Sequence, residues 1–71
     1  MGAEEEVLLK RLKIKLDHWI EHNREHEESF IKEAENAKDA GLEGVAMLIE
    51  EAARKMREAT HCLMDALNML S

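Results

Sequence analysis

From Leu12 to Ala37 the chain repeats one side of a helix at steps of four or three: Leu12, Leu16, Trp19, Asn23, His26, Phe30, Ala34 and Ala37. Such a stripe is the packing seam of one α-helix on another. A second, cleaner stripe runs through Leu42, Val45, Ile49, Ala52, Met56, Ala59, Leu63, Ala66 and Leu70. Between the two lies Lys38-Asp39-Ala40-Gly41-Leu42. There Gly41 can adopt the left-handed conformation that ends a helix, and Leu42 can fold back on the last turn. The pattern predicts a helix over about 4–39, a turn over about 40–42 and a second helix over about 43–70, in one domain spanning 1–71. Glu4, Glu5 and Glu6 suit the positive end of the first helix. Gly44, in the first turn of the second, is a modest cost. A connection this short forces the two helices antiparallel.

The predicted helices are unequal, and this bears on assembly. Folding at Gly41 sets Ser71 beside Lys13, so Val7, Leu8, Leu9 and Leu12 project past the end of the second helix. Each large aliphatic side chain left in water forfeits about 1.5–3 kcal/mol, which a small domain can ill spare. A second hairpin supplies the cover, and two-fold pairing is the commonest symmetric solution. The expected fold class is therefore all-α, an antiparallel two-helix hairpin that dimerises into a four-helix bundle.

Composition narrows the function classes. The 71 residues contain no proline, and Trp19 and Phe30 are the only aromatic residues. That is the composition of long helices near the lower size limit for a self-sufficient core. A net charge of -6 argues against nucleic acid and against anionic lipid as partners. No apolar run approaches the ~20 residues that span a bilayer, and the N-terminus lacks a signal-peptide pattern. The single cysteine, Cys62, excludes an internal disulfide framework and fits a reducing, cytoplasmic location.

The polar members of the first stripe carry the candidate chemistry. His18, His22 and His26 follow one another at steps of four, which on a helix draws their side chains along one slowly drifting line. Two imidazoles at that spacing can share a metal ion. On the second helix Cys62 is expected level with His22, on the same side of the hairpin. His22, His26 and Cys62 would offer two nitrogens and a thiolate, with His18 or Glu58 as a further ligand. Such a donor set suits Zn, Ni, Co or Cu better than Mg or Ca. It would serve storage, sensing or delivery, either as one site per subunit or as one shared site on the dimer axis.

Each of these residues also has a purely structural reading. His26 with Asn23 and Thr60 can form a hydrogen-bonded polar layer that fixes register. His18 can be solvated, and Cys62 can be a small boundary filler. On that reading the chain is a metal-free helical interaction module, with Met47 and the acidic faces meeting a protein partner. A third reading takes Glu58-Ala59-Thr60-His61 as the Glu-x-x-His element of carboxylate-bridged di-iron bundles. Its Glu58 and His61 fall on the side facing away from Met56, Ala59 and Leu63, and Glu27 is the nearest boundary carboxylate on the first helix. No arrangement for catalysis emerges: Cys62 and His61 are adjacent on a helix and point about 100° apart.

His18-Trp19-Ile20-Glu21-His22-Asn23-Arg24-Glu25-His26, followed by Gly41-Leu42-Glu43-Gly44-Val45-Ala46, resembles a small prokaryotic helical-hairpin domain with a His-Trp-x-x-His-Asn-x-x-His motif. The resemblance covers about Leu12 to Leu70. It implies a setting in archaeal and anaerobic bacterial proteins near nickel or cobalt handling. It also implies His18, His22 and His26 as functional residues, with no catalytic activity and no assigned role for Cys62.

Overall fold

The computed structural model describes residues 2–71, which form α1 (Ala3–Asp39) and α2 (Glu43–Leu70) packed antiparallel. Gly2 precedes α1 without a side-chain cap, and the three glutamates of the first turn face the positive end of the helix. The turn is a Schellman motif. Leu42 N–H donates to the Ala37 carbonyl at 2.8 Å and Gly41 N–H to the Lys38 carbonyl at 3.0 Å. Gly41 has φ +83°, a conformation that costs any other residue backbone strain. Leu42 then opens α2 by accepting the Ala46 N–H at 2.9 Å.

The rod measures 58 × 14 × 14 Å with a radius of gyration of 16.7 Å. A compact chain of this length would have about 11 Å. Its accessible surface is 5698 Å², against about 4,500 Å² for a typical folded monomer of 8.2 kDa. One hairpin thus exposes on the order of 1,200 Å² more than a self-contained domain of its mass.

The seam between the helices is narrow and made of small side chains. Ala46 is fully buried and Ala34 is 1% exposed; Ala53, Leu16, Ile20 and Thr60 are also buried. No large side chain among the described residues is fully buried. Asn23, Glu27, Phe30 and Ala37 continue the α1 side half-buried, and Ile49, Met56, Leu63, Leu67 and Leu70 the α2 side. The Thr60 hydroxyl donates to the Met56 carbonyl one turn back, at 2.9 Å, and so is satisfied within its own helix.

This seam is not the expected stripe. Trp19 is 45% exposed and Val45 48% exposed, while His26, Ala52 and Ala59 are exposed as well. Ile20, Glu27, Ala46, Ala53, Thr60 and Leu67 take their places at the contact. The two stripes share Leu16, Asn23, Phe30, Ala34 and Ala37 on α1, and Ile49, Met56, Leu63 and Leu70 on α2. They differ by one heptad position, a rotation of about 50° about each helix axis. The apolar arc of each helix is thus aimed between its sister helix and one open flank of the hairpin.

Candidate functional site

The two flanks of the rod differ in chemistry. On one, polar side chains bridge the helices. Arg57 Nε donates to Glu27 Oε2 at 2.9 Å, Lys38 Nζ lies 3.8 Å from Glu50 Oε1, and Arg24 Nη2 reaches the Met64 sulfur at 3.6 Å. A shallow open groove runs between them, with His61 on its rim.

The opposite flank is apolar on its α2 side and mixed on its α1 side. On α2, Val45, Ala52, Ala59 and Ala66 recur every seven residues beside the seam. Leu48, Lys55, Cys62 and Met69 recur every seven just outside them, Leu48 at 73% and Met69 at 86% exposure. Seven of those eight side chains are aliphatic, thioether or thiol. On α1 the matching positions carry Leu12, Trp19, His26 and Glu33, and outside them Leu8, Lys15, His22, Ser29 and Asn36. Towards the end of α2, Val7 is 62% and Leu8 45% exposed.

His18, His22 and His26 occupy this flank and its edge, while His61 lies on the opposite one. His18 and His22 meet directly: their ring centroids are 4.4 Å apart with the planes tilted by 35°. His26 leans the other way, its ring centroid 6.1 Å from that of Phe30. Cys62 is exposed and unbonded to any other cysteine. The helix spacing therefore brings together the first two histidines of the expected set and does not bring His22, His26 and Cys62 together. Among the described residues no group of three or more His, Cys, Asp or Glu side chains converges as a metal site within one hairpin. His26 is exposed instead of lying in a polar layer with Asn23 and Thr60. Glu58 and His61 are exposed, and the carboxylate nearest to them across the seam, Glu27, is taken up by Arg57.

Reading the sequence missed Glu27 as a seam residue. The signal lay in a second apolar stripe offset by one position, Leu16, Ile20, Asn23, Glu27, Phe30, with Arg57 on α2 to answer the charge. Met47, expected as a contact residue, is 67% exposed and stands away from both the seam and the apolar flank. Among the described residues no helix is long and apolar enough to cross a membrane.

The family model described as "Domain of unknown function (DUF8180)" matches residues 12–70. An uncharacterized protein of Archaeoglobus fulgidus is 36% identical over 62 residues, covering 87% of this chain and 98% of that relative. No solved structure matches. The family match takes in the whole seam, the turn and all four histidines, and the chain belongs to the DUF8180 family.

Proposed function

We propose that the chain works as a self-associating helical module, two hairpins packing their apolar flanks into a four-helix bundle. The observation that carries this reading is the 50° rotation between the apolar arc and the sister helix. In a four-helix bundle each helix has two neighbours at roughly right angles, and its apolar arc bisects them. α2 has that arc along its length, and α1 has it at Leu8, Leu12 and Trp19, with only one neighbour in place.

The surplus surface of one hairpin, on the order of 1,200 Å², exceeds the roughly 800 Å² per partner of a standard stable interface. The exposed side chains also say how a second copy would sit. With the turns at opposite ends, α1 packs on the partner's α1, and the overhang bearing Val7 and Leu8 covers the partner's turn end, where Leu42, Val45 and Leu48 are exposed. With both turns at the same end, each overhang would lie beyond the partner's α2 and stay wet. At about 1.5 Å per residue, full overlap puts the two-fold axis near residue 22 of α1. Centring α2 on α2 puts it near residue 27. Between those limits the flanking positions interlock when centred on residue 24. That register sets Lys15 level with the partner's Glu33 and brings Ala59 to within about two residues of the partner's Ala59. Opposite charges meet, and alanines allow close helix approach.

Sedimentation velocity tests the reading. The native chain should run at twice its 8.2 kDa mass. Ala59→Glu and, separately, Leu48→Glu should run as monomers, because each places a carboxylate inside the new contact. A wild-type chain that stays monomeric at millimolar concentration would sink the proposal. Dimers that survive both substitutions would move the contact to another face.

Transition-metal binding is the second reading, favoured by the His18–His22 contact. Two imidazoles are short of the three or four protein ligands that Zn, Ni, Co or Cu sites use. Within one hairpin the site is half built.

A further inference from the structure

We infer that dimerisation builds a metal site that one hairpin lacks: His22 and His26 of each copy converge at the two-fold axis to bind one divalent transition-metal ion per dimer. The inference rests on the four-helix reading above and adds a ligand to it. His22 and His26 stand on the flank of α1 that faces the second copy, and both are exposed in the single hairpin. In the register set by the overhang, the Lys15–Glu33 match and the alanines, His22 comes level with the partner's His26 on both sides of the axis. Neighbouring helices in a bundle lie 8–10 Å apart, a gap that two imidazoles reaching from opposite sides can close on a shared ion.

Four neutral imidazoles on two antiparallel helices make a borderline, tetrahedral donor set suited to Zn, Co, Ni or Cu. To join it, the His26 ring must leave Phe30, a rotamer change on an exposed side chain. His18 acts differently. It stands a further turn out and its ring rests against His22 at 4.4 Å, so it is a positioning residue that holds the His22 imidazole. Cys62 falls level with the partner's α2 near Glu58, outside the donor set. This separates the shared site from the His22–His26–Cys62 site that the sequence suggests.

Cobalt(II) and zinc(II) titrations of tag-free protein, run beside sedimentation in chelator, test the inference. The expected result is a dimer without metal that takes up one Co(II) per two chains. Its visible ligand-field bands should be tetrahedral, with no near-ultraviolet thiolate-to-cobalt band. Cys62→Ser should bind as the native chain does. His22→Ala and His26→Ala should remain dimeric and lose metal affinity at least 100-fold, while His18→Ala weakens it about tenfold, the range seen when a ligand's orienting partner is removed. Three outcomes overturn the inference: a metal-free dimer that retains neither Co(II) nor Zn(II), a thiolate charge-transfer band lost in Cys62→Ser, or one metal per chain bound equally by monomeric Ala59→Glu. A native chain that is monomeric in chelator would instead overturn the self-association reading beneath it.

Discussion

Among the described residues, Arg57 and Glu27 form the one cross-helix ion pair whose acid lies in the seam: the Glu27 carboxylate is 18% exposed and accepts Arg57 Nε at 2.9 Å. A half-buried charge with a single partner is more sensitive to losing that partner than to losing the pair. Arg57→Ala should destabilise the fold by about 1–2 kcal/mol, and Glu27→Leu should be neutral or stabilising, since leucine extends the apolar seam between Asn23 and Phe30. Urea unfolding of the two variants beside the native chain checks this. Equal destabilisation by both would mean that the pair itself, and not the stranded carboxylate, sets the cost.

Gly41 offers a cleaner backbone experiment. A Cβ there meets nothing within 4 Å, so Gly41→Ala carries no clash, and its whole effect is the cost of φ +83°. About 1 kcal/mol is expected, a fall of about 4–8 °C in Tm for a domain of this size. Circular dichroism should show the same helix content at low temperature. A neutral substitution would mean that the turn relaxes out of the Schellman geometry without loss.

Trp19 reports on the open flank. It is 45% exposed in one hairpin and stands on the face assigned to the second copy. Its emission should shift to the blue as concentration rises and return to the red on dilution, with a midpoint that matches sedimentation. Because pairing doubles a charge of -6, added salt should screen the repulsion and move that midpoint to lower concentration. Emission independent of both concentration and salt would contradict pairing through this flank.

Thr60 is buried, and its hydroxyl bonds back to the Met56 carbonyl. That carbonyl is also an acceptor for the helix ladder, so Thr60→Val removes a redundant bond and adds apolar contact in the seam. Thermal unfolding should show a gain of up to about 1 kcal/mol. A clear loss would mean that the hydroxyl bond shapes the local bend of α2.

Much of the fold was legible because it depends on local rules. The 4-3 spacing marks two helices, Gly41 with Leu42 marks the turn, and the short connection fixes the antiparallel packing. What was not legible was which edge of the apolar arc meets the sister helix. Leu16, Asn23, Phe30, Met56 and Leu63 belong to both possible seams. Choosing between Trp19 and Ile20, or between Ala59 and Thr60, depends on the width of side chains on the opposing helix, a tertiary quantity that periodicity does not encode. The site was read with the same limit. Spacing by four placed His18 beside His22, whereas His26 leans toward Phe30, its own neighbour four residues on, and the rotation of the seam left Cys62 on the outer edge of its helix.

The lack of any fully buried large side chain in the single hairpin has a consequence for how such a chain would live in a cell. If order in each copy waits on another, the folded amount rises with the square of the free chain at low abundance, and the folded fraction in proportion to it. Newly made copies below that threshold would be open to proteases, and copies above it would be shielded. The amount of the protein would then act as its own quality control, without a dedicated degradation signal.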